Sequence, residues 1–167
     1  MPQVSQRGIE LPASPIRKLT PFADQAKKRG MKVYHLNIGQ PDLPTPEKAL
    51  NAVRKIGRKT LEYSPSQGLK SLRDKFAVYY RKFGIDLSPE QIIVTAGGSE
   101  ALLATFLTCF DEGDEVIITE PGYANYLGFA KAAGLTVKAV TSRIEDRFAL
   151  PSAEDFRKAI TPKTKAI

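Results

Sequence analysis

The chain has 167 residues, of which 42% are apolar and 26% are charged, a composition typical of a soluble globular domain with its own core. The formal net charge is +7, but the basic residues are spread over several predicted helices, so we expect no nucleic-acid partner. One cysteine and one histidine exclude an internal disulfide and leave no metal cluster, while the lack of a bilayer-length apolar stretch or a signal-peptide core indicates a cytoplasmic protein with no membrane partner.

The first part of the chain is predicted to be helical, with irregular connections. Residues 1–13 are expected to form a flexible arm, and residues 33–38 are expected to form a strand. The loop 39–46 contains three prolines, which exclude regular structure there. Each predicted helix ends at a glycine, as is common after a helix C-terminus. These helices cover residues 20–30, 46–57 and 69–84.

From residue 92 onward, short apolar strands alternate with helices of about ten residues. The predicted strands are 92–95, 115–119, 135–140 and one that begins at Lys165. This alternation is typical of an α/β fold whose parallel sheet is connected by right-handed crossovers. Ligands of such sheets bind outside the carboxyl ends of the strands. Cys109 lies on the apolar side of a predicted helix, so we expect it in the core.

The turn between the strand 92–95 and the following helix holds Gly97, Gly98 and Ser99. Glycine allows the backbone to approach a ligand closely, and the free amides at a helix start attract anions. The turn is therefore predicted to hold a phosphate group. A plain glycine turn between a strand and a helix explains the same residues, and isolated glycine motifs are weak evidence.

A dinucleotide-binding fold is one alternative interpretation. Glu120 ends the next strand at about the distance from the glycines where a ribose-binding acid belongs. Against this, the turn does not match the G-x-G-x-x-G pattern, and Pro121 directly follows the acid. A small non-catalytic binding domain is a second alternative.

Several segments in order resemble the class I aminotransferases, which use pyridoxal 5'-phosphate on a scaffold called fold type I. The resemblance runs from about residue 14 to the last residue. The matching segments are Leu36–Asp42, Tyr63–Gly68 with Leu72-Arg73 after it, Val94–Ala101, Gly113–Val116 with Pro121-Gly122-Tyr123, and Ile160–Ile167. The resemblance implies an α/β fold, the N-terminal part of a fold type I transferase with a parallel-rich sheet and flanking helices, and transfer of an amino group between an amino acid and a 2-oxo acid.

The resemblance also implies roles for individual residues. The turn Gly97, Gly98 and Ser99 would hold the cofactor phosphate, and Tyr123 would lie against the pyridine ring. Tyr63 would reach the phosphate in the neighbouring subunit of a homodimer, and Gly39 would offer its amide to the substrate carboxylate. The segment 121–125 ends in Asn125, a weaker candidate for a further contact.

The resemblance finally implies an incomplete chain. Residues 1–45 correspond to an arm and a small-domain segment, and residues 46–167 to the first half of the large cofactor-binding domain. The lysine that forms a Schiff base with the cofactor is expected beyond the chain end, so Lys163 and Lys165 are not assigned that role. The isolated chain is therefore expected to be inactive and, with a sheet cut midway, prone to aggregate.

Overall fold

The structure is a computed structural model that describes residues 3–12 and 14–167. Met1, Pro2 and Ala13, which fall within or beside the predicted arm, lie outside the described residues. The chain divides into two compact units. One unit comprises the chain up to Val33 together with Ala96–Ile167, and the other comprises Tyr34–Thr95.

A three-stranded parallel sheet organises the first unit. Its strands are β1 (Glu115–Glu120), β2 (Thr136–Thr141) and β3 (Thr164–Ala166). The strand order is β2-β1-β3, and Glu115 lies opposite Thr136 on one side and Thr164 on the other. The parallel α/β architecture predicted from the alternating pattern is confirmed.

The helices flank these strands or form the second unit. Short 3₁₀ turns occur at Arg17–Leu19 and Pro89–Gln91. The α-helices are α1 (Gln6–Glu10), α2 (Thr20–Lys28), α3 (Glu47–Arg54), α4 (Lys70–Arg81), α5 (Gly98–Cys109), α6 (Ala124–Ala132) and α7 (Ala153–Ala159). Each helix predicted from periodicity is present, with ends that differ by a few residues from the prediction.

The core of the first unit lies between α5, α6 and the sheet. Phe106 of α5, Val116 of β1, Ala130 of α6 and Leu135 form its buried cluster. Further apolar side chains of α5 and β1 pack against this cluster, so β1 runs back along α5 after the turn of residues 110–114 that joins them. The N-terminus of α5 therefore lies toward the carboxyl edge of the sheet, where the N-terminus of α6 follows β1 directly.

The second unit has a smaller interior. Ala77 of α4 and Ile92 are its buried apolar side chains, and α4 packs against the 3₁₀ turn Pro89–Gln91. Arg73 is also buried here. A buried guanidinium requires hydrogen-bond partners, and those of Arg73 are the carbonyls of Gly68 and Pro89, in two separate segments of this unit.

Two strand predictions were wrong. Residues 33–38 and 92–95 carry β-branched and apolar side chains, but neither segment belongs to a sheet in the described structure. Residue propensity describes a good fit to a pleated, half-buried surface, and a strand also needs a neighbour for its ladder hydrogen bonds. The amide of Val94 instead donates to the carbonyl of Gln67, 3.0 Å away, so this segment is tied to a loop.

Two further expectations for the first unit were wrong. The supposed flexible arm contains α1, whose first turn is capped by the Ser5 hydroxyl and whose Glu10 forms an ion pair with Lys131 at 2.9 Å. Cys109 is exposed at the end of α5, where its Sγ lies 3.7 Å from the Thr108 hydroxyl. The buried face of α5 is narrower than its composition suggests, because most of its residues are apolar but only Phe106 is buried.

Candidate functional site

The glycine turn before α5 leaves the start of this helix open. Gly97 is the N-cap residue, with φ 120° and ψ 170°, a conformation that L-residues with a side chain rarely adopt. Because Gly97 has no side chain, the N-cap residue itself makes no side-chain hydrogen bond to the helix amides. A Cβ built on Gly97 or Gly98 would meet no atom within 4 Å, so the turn faces open space.

This geometry suits an anion. The first amides of a helix have no carbonyl partner within the helix, and the dipole of a helix with 12 residues places partial positive charge at the same end. Ser99 follows the glycines on the first turn and is exposed, so its hydroxyl is accessible. Glycines keep Cβ atoms away from the approach to the amides, as a phosphate site requires.

Glu100 adds a negative charge that the sequence analysis missed. Its carboxylate Oε2 accepts a hydrogen bond from the amide of Ala96, the residue before Gly97. A carboxylate on the first turn interacts favourably with the helix dipole, so it stabilises this turn, but it also repels a bound anion. The signal was available, because a glutamate three residues after an N-cap residue is the usual reach-back position of a capping box.

Tyr123 lies where β1 passes into α6. The peptide bond Glu120–Pro121 is cis, and Tyr123 is the N-cap residue of α6. Its ring is about half exposed, with the edge of Tyr126 at 5.7 Å between ring centres and an interplanar angle of 90°. Asn125, the weak candidate of the sequence analysis, donates from its side-chain amide to the Tyr123 hydroxyl at 2.7 Å.

A cavity of about 540 Å³ lies beside Tyr123 at the carboxyl edge of the sheet. Its walls include the end of β1, the last residue of β2, and Pro15 and Phe148. Tyr123 lines this cavity, and an aromatic side chain in such a wall suits a flat, partly apolar ligand. Within this unit, the glycine turn and Tyr123 thus begin two neighbouring helices that pack against each other.

Tyr63 and Gly39 belong to the other unit. Tyr63 is fully exposed, and a Cβ built on Gly39 meets no atom within 4 Å. Both residues are therefore accessible.

The two lysines near the chain end lie at the opposite edge of the sheet from Tyr123. Thr164 pairs with Glu115 and Ala166 with Val116, which places Lys163 and Lys165 beside the start of β1. Tyr123 follows the other end of β1, about 16 Å along a strand of six residues. This register places both lysines away from Tyr123, as expected if neither lysine forms the Schiff base with the cofactor.

Comparison with known proteins identifies the class and then the family. The fold is that of an α/β protein with a parallel sheet and flanking helices, and its glycine turn has a geometry that suits an anionic ligand. The family model for aminotransferase class I and II matches residues 31–167, so the chain belongs to that family. Proteins of this family depend on pyridoxal 5'-phosphate.

The relatives are longer proteins that are named as aminotransferases. An aspartate aminotransferase of Thermotoga maritima is 35% identical over 98% of this chain and 44% of the relative, and an aspartate/prephenate aminotransferase of Thermus thermophilus is 36% identical over 86% of this chain and 37% of the relative. The crystal structure of the Thermotoga enzyme superposes with a TM-score of 0.87 over 97% of this chain and 44% of that one. A structure of alanine aminotransferase from Pyrococcus furiosus, 33% identical, gives a TM-score of 0.89 over 98% and 42%. The chain thus spans less than half the length of these relatives.

The family match favours the aminotransferase interpretation over a dinucleotide-binding fold. The residues present also fit the cofactor of the family. A helix start with two glycines that face open space suits a phosphoester, and a half-exposed tyrosine suits a conjugated ring.

Two negative findings apply to the described residues. No helix among them is long and apolar enough to cross a membrane. No group of three or more histidine, cysteine, aspartate or glutamate side chains in this part of the chain is placed to hold a metal ion.

Proposed function

We propose that this chain forms the phosphate- and ring-binding part of an aminotransferase that moves an amino group between an amino acid and a 2-oxo acid. The observation that carries the proposal is the glycine turn at the start of α5, where Gly97 has a φ of 120° and a Cβ on Gly97 or Gly98 would meet no atom within 4 Å. This turn lies in a chain of the aminotransferase class I and II family.

In this proposal, each residue has an orienting role. The amides around Gly98 and Ser99 bind the phosphate of pyridoxal 5'-phosphate, and the Tyr123 ring lies against its pyridine ring. Asn125 holds the Tyr123 hydroxyl. When bound, the cofactor supplies the aldehyde and the conjugated ring on which amino-group transfer depends. Fixing it at two points lowers the entropy that must be lost when a substrate is aligned.

The contacts outside this unit are part of the same proposal. Tyr63 donates its hydroxyl to the phosphate in a neighbouring subunit of a homodimer, and Gly39 donates its amide to the substrate carboxylate. The exposure of both residues supports these roles. Residues 1–45 act as an arm and small-domain segment, and residues 46–167 as the first half of the large domain. A reducing, cytoplasmic location suits a protein with one exposed, unpaired cysteine.

No lysine is assigned to the covalent step. We infer that the 167-residue chain alone does not catalyse transamination, because it spans less than half the length of its relatives, and Lys163 and Lys165 lie beside the start of β1 rather than near Tyr123. The chain would still bind the phosphate. Binding can therefore be tested separately from activity.

The test uses pyridoxamine 5'-phosphate, which has no aldehyde and cannot react with surface lysines. We expect calorimetric titration of the chain to show binding of this compound at least about 10-fold tighter than binding of pyridoxamine, because the phosphate makes charge-assisted hydrogen bonds. Gly98→Ala places a methyl group on the approach to the amides without a backbone clash, since the Cβ has open space and the residue is helical. The affinity for pyridoxamine 5'-phosphate should fall by about 10-fold in this variant.

Gly128→Ala is the matched control. Gly128 is also helical, in α6, and its Cβ would also meet no atom within 4 Å. This variant should bind like the parent chain. Equal affinity for the two compounds, or a Gly98→Ala variant that binds as tightly as the parent, would contradict the proposed phosphate site.

A further inference from the structure

Arg73 is a buried cation whose hydrogen bonds go to the backbone. It is 9% exposed and lies on the second turn of α4. Its Nη1 donates to the carbonyl of Pro89 at 2.6 Å, and its Nε donates to the carbonyl of Gly68 at 3.3 Å. The ion pairs found between described residues do not include Arg73, so carbonyl dipoles take the place of a carboxylate.

The two carbonyls belong to segments that are far apart in the chain. Gly68 ends the loop that begins at Tyr63, and Pro89 begins the 3₁₀ turn that leads to Ile92. A guanidinium is planar and presents donors in two directions, so one side chain can hold both segments. A lysine has a single ammonium on a flexible stem and cannot donate along the same two lines.

The loop that Arg73 holds is also closely packed on its inner side. The amide of Gly68 donates to the carbonyl of Pro65 at 2.8 Å, which closes the turn. Gly68 has a φ of +89°, and a Cβ at this position would lie 2.6 Å from the Cβ of Val94. Together with the hydrogen bond from the Val94 amide to the Gln67 carbonyl, these contacts fix the C-terminal end of the loop against residues 92–94.

Tyr63 stands at the other end of the same loop. Its side chain is fully exposed, so its position depends on the backbone of the loop rather than on packing of the ring. We propose that Arg73 is a positioning residue for Tyr63, because it holds the loop 63–68 in the conformation that presents the tyrosine hydroxyl. This inference rests on the proposed contact between Tyr63 and the cofactor phosphate of a neighbouring subunit.

The first test measures the loop directly and involves no cofactor. Hydrogen exchange of the backbone amides of Gly68 and Val94 is compared in the parent chain, Arg73→Lys and Arg73→Met. We expect exchange at both amides to accelerate about 10-fold or more in Arg73→Met, and less in Arg73→Lys, while the buried β1 amides keep their protection. Arg81→Met is the matched control, because Arg81 is an exposed arginine of the same helix that pairs with Asp86. Unchanged exchange at Gly68 and Val94 would overturn the inference.

The second test links the loop to the ligand through a double-mutant cycle. Affinity for pyridoxamine 5'-phosphate is measured for the parent chain, Tyr63→Phe, Arg73→Lys and the double variant, at concentrations where sedimentation shows associated chains. We expect Arg73→Lys to weaken binding about 5-fold when Tyr63 is present and to have no effect in the Tyr63→Phe background. A purely structural role of Arg73 would weaken binding equally in both backgrounds, and this result would overturn the inference.

The two tests separate the inference from the function on which it rests. If Tyr63→Phe by itself leaves the affinity unchanged, the proposed role of Tyr63 fails and Arg73 has no ligand contact to position. Faster hydrogen exchange of the loop amides in Arg73→Met would then show that Arg73 fixes the loop 63–68 but does not position a ligand contact. Weaker binding in Tyr63→Phe together with additive effects of the two substitutions would instead leave the proposed function intact and overturn the role of Arg73.

Discussion

Tyr123 combines an accessible ring with a hydroxyl that is already occupied. The hydroxyl accepts a hydrogen bond from Asn125, and the residue lines the cavity at the end of β1. If the ring carries the contact with the cofactor, removing the hydroxyl should matter little and removing the ring should matter more. The residue thus allows stacking and hydrogen bonding to be separated.

We expect Tyr123→Phe to bind pyridoxamine 5'-phosphate with an affinity close to that of the parent chain. Tyr123→Leu should weaken binding by about 2- to 10-fold, the range expected for one aromatic stacking contact. Calorimetric titration measures both variants, with Tyr79→Leu in the other unit as a control for loss of an exposed aromatic ring. A loss in Tyr123→Phe as large as the loss in Tyr123→Leu would show that the hydroxyl, and not the ring, makes the contact.

Glu100 places a charge of the wrong sign for phosphate binding at the start of α5. We expect Glu100→Gln to bind pyridoxamine 5'-phosphate about 2- to 5-fold more tightly at low ionic strength, because the glutamine can still accept from the Ala96 amide without the negative charge. Added salt should reduce this gain, since the groups are exposed. Glu145→Gln removes another exposed carboxylate from the same unit and should change the affinity less. Weaker binding by Glu100→Gln would mean that the carboxylate supports the site rather than opposing it.

Among the elements, α7 has the most complete N-terminal cap. The Ser152 hydroxyl donates to the Asp155 carboxylate at 2.6 Å, and the Ser152 amide donates to the same oxygen at 3.0 Å. The hydroxyl of Ser152 also accepts from the Asp155 amide at 3.3 Å. The hydrogen bond from the Ser152 side chain, followed by that from its backbone, lowers the pKa of Asp155 below its ordinary value.

This lowered pKa has a defined consequence for stability. The folded state binds the Asp155 proton less tightly than the unfolded state does. The ionised Asp155 carboxylate therefore stabilises the fold above the pKa that Asp155 has in the unfolded chain, and this stabilisation is lost as the pH falls through its lower pKa in the folded chain. We expect Ser152→Ala to raise the pKa of Asp155, as followed by NMR titration of its carboxyl carbon, and to lower the thermal midpoint at neutral pH by a few degrees. Ser71→Ala, an exposed serine of α4, is the control. An unchanged Asp155 pKa in Ser152→Ala would contradict the capping box.

Among the helices and strands, those that are encoded by patterns of neighbouring residues could be predicted from the sequence. Apolar periodicity and terminal glycines predicted the helices, and the alternation after residue 92 predicted the parallel sheet with its crossover helices. Interactions distant in sequence decided the remainder. The segment 92–95 has the residues of a strand but bonds to Gln67, and α1 is held by an ion pair with Lys131. No local pattern encodes either partner.

The residues of the candidate site also divide into those with a local sequence signal and those whose contacts form only in the folded chain. The glycines and Ser99 were recognisable because their chemistry is carried by the backbone at a helix start. Asn125 was noted only for its position, since its hydrogen bond to Tyr123 depends on the geometry of the turn after β1. The hold of Arg73 on two carbonyls was not foreseen, because Gly68 and Pro89 are 5 and 16 residues away and meet only in the folded unit.

The whole molecule exposes much apolar surface for its size. Among the described residues, the largest fully buried side chain is Ile117, whereas apolar side chains such as Leu36, Leu43 and Leu61 are more than four-fifths exposed. The sheet has two edge strands, β2 and the short β3. Unpaired strand edges and large apolar patches favour association with other chains.

We therefore expect the 167-residue chain to self-associate at micromolar concentration. Sedimentation velocity should show species larger than 18.4 kDa, and their proportion should fall on dilution. A monodisperse monomer with a single cooperative melting transition would contradict this expectation. It would also weaken the proposal that the chain acts in a homodimer.

The central claim, that the amides at the start of α5 hold the phosphate of the cofactor, is tested most directly by NMR of the ¹⁵N-labelled chain. Pyridoxamine 5'-phosphate should shift the amide resonances of Gly98 and Ser99 downfield, as expected for new hydrogen bonds to an anion, and pyridoxamine should leave them in place. Equal shifts with both compounds, or shifts confined to amides outside the turn 96–100, would contradict the claim.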